Sequence, residues 1–354
     1  MDAKFKGRGA LSNPGPRFLQ GTTLAVDDGW YQDETPESIA TEVRPEAART
    51  IISRNDSPDI PFEQSINPYR GCEHGCVYCY ARPSHAYVDL SPGIDFETRL
   101  FYKADAAALL QAELARPRYV CKPITLGANT DPYQPVERRR GVTRAVLEVL
   151  ERTRHPVSIV TKGTLILRDL ALLRSLAADG LVQVHVSVTT LDVELKRRLE
   201  PRAAAPQARL RVIRELAAAG IPTGVLVAPI IPALNDAEIE HIVAAVAAAG
   251  AQRAGYVLLR LPHELAALFR EWLQQHYPER AAHVMSLLQS MRGGRDNDPQ
   301  FGSRMRGSGP WAQLLRDRFA LACRQHGLPR QRAVPLCTTL FQPPRLDGQM
   351  SLGF

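Results

Sequence analysis

The chain has 354 residues, 45% of them hydrophobic, and a formal net charge of +7. That length suits one large domain with appendages, or two domains, around a sizeable core. No stretch approaches a transmembrane span, the N-terminus lacks the apolar run of a signal peptide, and the six cysteines do not form a secreted disulfide framework. No membrane is expected, the cytoplasm is the expected location, and the positive balance is compatible with a polyanionic partner.

Residues 1–60 read as an N-terminal extension, partly disordered, because Gly7, Gly9, Pro14, Gly15, Pro16, Asp27, Asp28 and Gly29 interrupt every periodic run. The stretch from Gly9 to Pro14 reads as loop or disorder. Residues 61–261 alternate β-type runs with helical ones, which argues for βα units and a parallel sheet. A first strand is expected to end near Asn67. Further strands are expected over 123–127, 157–161, 182–188, 224–228 and 255–260, with helices over 104–115, 140–154, 167–178, 194–199, 206–219 and 237–249 between them. Periodicity alone does not separate a barrel from a doubly wound sheet. Residues 262–354 read as a mainly helical region with an exposed tail: helices over 262–275, 278–290 and 311–326, a loop over 292–299, and an extended end over 340–354. From Met291 onward there are ten arginines against four aspartates, with no lysine and no glutamate.

The chemistry concentrates in Asn67-Pro68-Tyr69-Arg70-Gly71-Cys72-Glu73-His74-Gly75-Cys76-Val77-Tyr78-Cys79-Tyr80, where three cysteines fall at C-x3-C-x2-C. Three thiolates within eight residues can converge on one metal centre. A four-iron, four-sulfur cluster normally takes four, so three leave one iron open to a bound molecule. A zinc site would instead want a fourth ligand, with His74 or Cys121 as candidates, and no second C-x2-C pair follows.

The spacing, with an aromatic residue before the third cysteine, resembles the signature of the radical S-adenosylmethionine (SAM) enzymes. The flanks, Ser65-Ile66-Asn67-Pro68 and Tyr80-Ala81-Arg82, resemble their spore photoproduct lyase-like branch. The resemblance implies an α/β fold, a partial (βα)6 barrel. It also implies a 4Fe–4S cluster on Cys72, Cys76 and Cys79, with SAM on the fourth iron. One electron, from a donor such as flavodoxin or ferredoxin, would cleave SAM to methionine and a 5′-deoxyadenosyl radical that abstracts hydrogen from a substrate. The branch suggests DNA or another nucleic acid as substrate, in repair or modification. Radical modification of a protein or small metabolite, a non-catalytic binding protein stapled by metal, and an electron-carrying cluster are the alternatives.

Working groups of parallel barrels sit at the C-terminal ends of the strands. After the second strand, the resemblance assigns Thr130 and Asp131, with Asn129, to the SAM amino group. Spore photoproduct lyases are expected to carry a hydrogen-donor cysteine near this strand end. Here stand Gly127, Ala128 and Asn129, so the thymine-dimer reaction is not carried over. Lys162 follows the third strand, facing the SAM carboxylate or an anionic substrate. Ser187 and Thr189 share one face of the fourth strand and suit the SAM ribose or carboxylate. His185, deeper on that face, reads as buried and satisfied. Glu200-Pro201-Arg202 resembles the family's Glu-Pro motif, and Arg202 or Arg209 suits either a ligand or a salt bridge. Tyr78 and the wall Ala228-Pro229-Ile230-Ile231-Pro232 are the adenine candidates, and Arg260 ends the sixth strand. The terminal Gln349-Met350-Ser351-Leu352-Gly353-Phe354 resembles peptides that dock on the sliding clamp.

Overall fold

A computed structural model of the protein describes residues 6–19, 39–328 and 335–344. The clamp-like peptide at Gln349 to Phe354 lies outside the described residues. In chain order the strands are β1 (Glu42–Pro45), β2 (Ile52–Arg54), β3 (Gln64–Ile66), β4 (Tyr69–Arg70), β5 (Arg99–Tyr102), β6 (Ile124–Leu126), β7 (Val157–Thr161), β8 (Val182–Ser187), β9 (Thr223–Ile230) and β10 (Arg253–Leu258). Strands β3, β6, β7, β8, β9 and β10 are parallel and lie side by side in that order, with β2 antiparallel on the outer edge of β3. A doubly wound sheet reverses strand order at a switch point. This sheet never reverses, so it is a barrel wound in one direction and left open between its first and last strands. A small second sheet, β1-β5-β4, flanks it.

The crossovers are α1 (Ala106–Leu114), α2 (Val142–Arg152), α3 (Leu170–Ala178), α4 (Pro206–Ala218) and α5 (Ile239–Ala248). Each turns an apolar stripe onto the sheet: Val146, Leu147 and Leu150 from α2, and Leu216 from α4, meet Ile159, Val184 and Val227, all essentially without exposure. The alternate strand residues Val160, Lys162, His185, Leu226 and Val257 are half-buried. One face of the sheet therefore packs on helices, while the other lines a solvent-reached lumen. The sixth strand starts two residues before the expected 255, at Arg253, whose side chain turns into that lumen.

The C-terminal helices are α6 (Leu265–His276), α7 (Pro278–Ser290) and α8 (Gly309–Gln325). Between α7 and α8 the chain returns to the open edge of β10, where Leu258 N–H donates to the Met305 carbonyl at 2.9 Å. Arg304 then forms a bidentate pair with Asp59, at 2.7 and 2.5 Å, from the loop between β2 and β3. Of the two readings of the Gly9 to Pro14 stretch, loop or disorder, the chain takes the loop, packed with Gly9 and Ala10 N–H groups donating to Glu97 at 2.9 and 2.8 Å. The start of the expected exposed tail is anchored instead: Phe341 packs on Tyr119 and His155, with ring centroids 5.5 and 5.2 Å away. Apolar residues at a chain end found a core face, which local composition does not reveal.

Candidate metal centre

The cysteine loop leaves β4 and is fixed on several sides. Gly71 and Gly75 have φ of +75° and +65°, and a Cβ on Gly75 would lie 2.6 Å from Glu97 Oε2. A Cβ on Gly9 would lie 1.8 Å from the Gly75 carbonyl oxygen, so the N-terminal segment lies directly against the loop. Only glycine fits such contacts. Arg82 and Glu97 are fully buried and paired at 2.5 Å. Arg82 also donates to the carbonyls of Cys76 at 2.9 Å, Pro92 at 3.1 Å and Gly93 at 2.9 Å. Gln134 donates to the Gly71 carbonyl at 3.1 Å and accepts from Glu73 N–H at 2.9 Å. Sequence reasoning missed Arg82, Glu97 and Gln134. Arg82, three residues after Cys79, was the legible signal.

Cys72, Cys76 and Cys79 are free; the first two are buried and the third is half-buried. Cys79 packs against the apolar groups around both of the others. Burial, then the Glu200 charge, pushes the Cys76 thiol up to about 12, and burial and Asp131 push Cys72 up as well. Thiolates here call for a compensating cation, which a metal centre supplies. Among the described residues no three His, Cys, Asp or Glu side chains gather as ligands of a single ion. Three thiols with no fourth donor beside them suit a cluster that leaves one iron open; a structural zinc takes four ligands. Neither proposed fourth zinc ligand helps: Cys121 lies before β6, at its far end, and His74 Nδ1 stands 3.3 Å from Asp131 Oδ2.

The strand ends gather most of the sequence candidates beside the loop. Tyr78 is buried, its hydroxyl donating to Glu200 and lying 3.1 Å from Thr189 Oγ1. Thr189 Oγ1 is 2.8 Å from Glu200 Oε1 and 2.9 Å from the Ala228 carbonyl oxygen. Glu200 pairs with buried Arg209, which also donates to the Ser187 carbonyl at 3.0 Å. Burial would raise the Glu200 carboxyl, but the Arg209 and Lys162 charges hold it at about 2. Lys162 Nζ lies 5.9 Å from the Tyr78 ring centroid, with no carboxylate in salt-bridge range among the described residues. Ser187 is buried on the lumen face, two residues above His185.

Asp131 is already engaged. Its carboxylate accepts from Thr161 Oγ1 and Lys162 N–H at 2.7 Å each and from Tyr133 N–H at 2.8 Å. Burial raises its carboxyl, while His74 and these bonds bring it to about 2. Thr130 donates to the Tyr69 carbonyl at 2.8 Å, and Asn129 N–H donates to Asn67 Oδ1 at 2.9 Å. Arg202 pairs with Glu73 at 3.2 Å. One placement differs from expectation. His185 is half-buried and makes no hydrogen bond among the described residues, because it faces the open lumen. Ile230 and Ile231 are buried, Ile231 in the apolar cluster that contains Cys76 and Tyr78.

The family model described as the Radical SAM superfamily matches residues 66–246. Uncharacterized proteins of Mycobacterium tuberculosis and Mycobacterium bovis are 40% identical over 230 residues, 64% of this chain and 68% of theirs. One of Methanocaldococcus jannaschii is 26% identical over 217 residues, 60% of this chain and 76% of its own. Spore photoproduct lyase complexed with dinucleoside spore photoproduct superposes with a TM-score of 0.58 at 17% identity, covering 80% of this chain and 79% of that one. A variant of that lyase with bound AdoMet gives 0.57 at 17% identity, covering 82% and 80%. At that identity the likeness is one of fold. No helix among the described residues is long and apolar enough to cross a membrane.

Proposed function

Because the chain belongs to the radical SAM superfamily, whose members use a 4Fe–4S cluster and SAM, we propose that Cys72, Cys76 and Cys79 hold the cluster and leave one iron to SAM. The observation that carries this is three free cysteines on a loop locked by the buried Arg82–Glu97 pair, at the C-terminal ends of parallel strands. When bound, the cluster and SAM supply reductive SAM cleavage and a hydrogen-abstracting radical. This chain's residues bind, orient and exclude water. Lys162, a cation beside Tyr78 with no carboxylate in salt-bridge range among the described residues, receives the SAM carboxylate. Tyr78 is held in place by Glu200 and Thr189 for the adenine side, and Ser187 offers its hydroxyl to the ribose or carboxylate. Asn129 and Thr130 stand at the amino-group side. Asp131, with its lone pairs taken by four neighbours, acts as a positioning residue for His74 and the Lys162 backbone. Val77, Leu195, Leu199 and Ile231 form the apolar backing that keeps water from Cys76. A reducing electron donor is required, and a flavodoxin or ferredoxin suits the role.

We propose a nucleic-acid substrate. Tyr80 is an exposed ring beside Arg260, 5.9 Å away, at the end of the sixth barrel strand; the exposed Phe301 and Phe18 stand by arginines that are already paired with Asp59 and Glu264. A ring beside a cation suits an unstacked base and its phosphate. The lyase fold neighbour holds a dinucleoside lesion, but Gly127, Ala128 and Asn129 argue against the same reaction here. The test is anaerobic reconstitution with iron and sulfide, then reduction with SAM, scoring 5′-deoxyadenosine for the wild type and Cys76→Ala. Cluster uptake and product in the wild type alone support the proposal; zinc uptake with no cluster overturns it. Binding to single-stranded DNA that ignores added salt would count against the substrate assignment.

A further inference from the structure

The barrel lumen contains an arginine with no acid in pairing range among the described residues. Arg253 opens β10, yet its side chain is nine-tenths buried. Strand parity sets its direction: Tyr256 packs outward on Phe319 of α8, ring centroids 4.8 Å apart, so Arg253, Gly255 and Val257 face inward. Its one hydrogen bond among the described residues runs from Nη1 to Gln183 Oε1, at 3.0 Å, and Gln183 Nε2 lies 3.4 Å from Ser158 Oγ. No carboxylate stands in salt-bridge range among the described residues. Gly224 lies level with Arg253 and His185 in the strand register. A Cβ there would lie 2.8 Å from both Arg253 Cγ and His185 Cδ2, so the glycine makes room for the two side chains to meet across the strand. His185 itself has no hydrogen-bond partner among the described residues. Burial, and then the Arg253 charge, holds the His185 ring at about 4, and burial lowers Arg253; no acid contributes to either.

A guanidinium offers five donors in a planar fork, and this one uses a single neutral acceptor. Its other nitrogens are not sealed from solvent, so an anion entering the lumen can replace water on them. We infer that Arg253, with Gln183 and His185 beside it, binds the oxyanion end, phosphate or carboxylate, of a small molecule that enters the barrel lumen. His185 lies one two-residue strand step, about 7 Å, below Ser187, so the anion site is deeper in the lumen than the residues assigned to SAM. The anion site itself does not depend on SAM chemistry.

The test is calorimetric titration of the full chain, anaerobic and without SAM, with inorganic phosphate and separately with succinate. Ionic strength is held constant with potassium chloride. Saturable binding of one anion per chain is expected, weakened about tenfold or more in Arg253→Gln and partly kept in Arg253→Lys. Gly224→Ala leaves every charge in place while its methyl displaces the Arg253 stem and the His185 ring, and should also weaken binding. Thermal melts check each variant's fold, and where Arg253→Gln does not fold, Gly224→Ala carries the test. Tighter phosphate binding assigns a phosphoryl-bearing ligand, and tighter succinate binding a carboxylate-bearing one. The inference is overturned if neither anion saturates, or if Arg253→Gln and Gly224→Ala bind like the wild type. Failure to form 5′-deoxyadenosine would leave this result untouched, so the two proposals fail separately.

Discussion

Replacing Glu97 by glutamine tests how the cysteine loop is held. Glu97 is fully buried and accepts three donors: Arg82 at 2.5 Å, Ala10 N–H at 2.8 Å and Gly9 N–H at 2.9 Å. Glutamine keeps the shape but loses the charge, and its amide nitrogen must face one of those donors. Arg82 then stays buried without a countercharge, still bonded to the carbonyls of Cys76, Pro92 and Gly93. Removing one partner of a buried ion pair costs about 3–5 kcal/mol. Urea denaturation followed by circular dichroism should read that loss, and iron per chain after reconstitution should fall with it, because the Arg82 bond fixes the Cys76 carbonyl. The double variant Arg82→Met with Glu97→Gln should lose less than the sum of the two single changes, since no uncompensated charge remains. A loss under about 1 kcal/mol, within the range of an exposed pair, would refute the claim that this contact organises the loop.

Lys162→Met should weaken SAM binding by about tenfold, as expected for a lost charge-assisted bond, with iron content unchanged; an unaltered SAM dissociation constant would remove Lys162 from the site. Glu200→Gln leaves Arg209 buried without its acid and should cost about 3 kcal/mol in the same urea assay, and a neutral result would mean the pair is dispensable. Stability should also fall in acid. Burial holds His85 and His155 at about 4, below the ordinary 6.5. The unfolded chain therefore binds protons first, and stability present above pH 6.5 is lost as the pH falls toward 4, by roughly 2–3 kcal/mol per histidine. Unfolding free energy that stays flat between pH 7 and 4.5 would contradict this, and His155→Gln should remove its share of the slope.

The six parallel strands were legible because each carries a short apolar run between turn residues, and the cysteine spacing located the loop. Other features depend on partners far away in sequence. Arg82 is followed by ordinary loop text, and its pairing with Glu97 exists only once the chain folds. Asp131 looked like a free ligand because its acceptors were counted without its neighbours. His185 was read as a satisfied core histidine, since polar residues inside strands usually are. Nothing local announces that Gly224, on the next strand, opens the space in front of it. Arg253 falls outside the strand expected from 255, and its side chain points into a lumen that six strands build together.

The family match spans residues 66–246, yet the site depends on residues beyond both ends of it. Gly9 and Ala10 complete the shell of Glu97, and the loop it braces contains the cysteines. Strand β2 covers the outer edge of β3, and β10, which brings Arg253 and Arg260, begins after the match ends. The return from α7 then hydrogen-bonds the free edge of β10 through Met305, and its Arg304 reaches Asp59 beside the first strand. An open half-barrel has two unpaired edges, each a site for wrong pairing. Here one edge is covered by the segment before the barrel, the other by the segment after it, and an ion pair joins the two. A fragment cut to the matched residues would expose the edge of β9 and leave Glu97 short of two donors. It should therefore lose the cysteine loop's order even though all three cysteines remain.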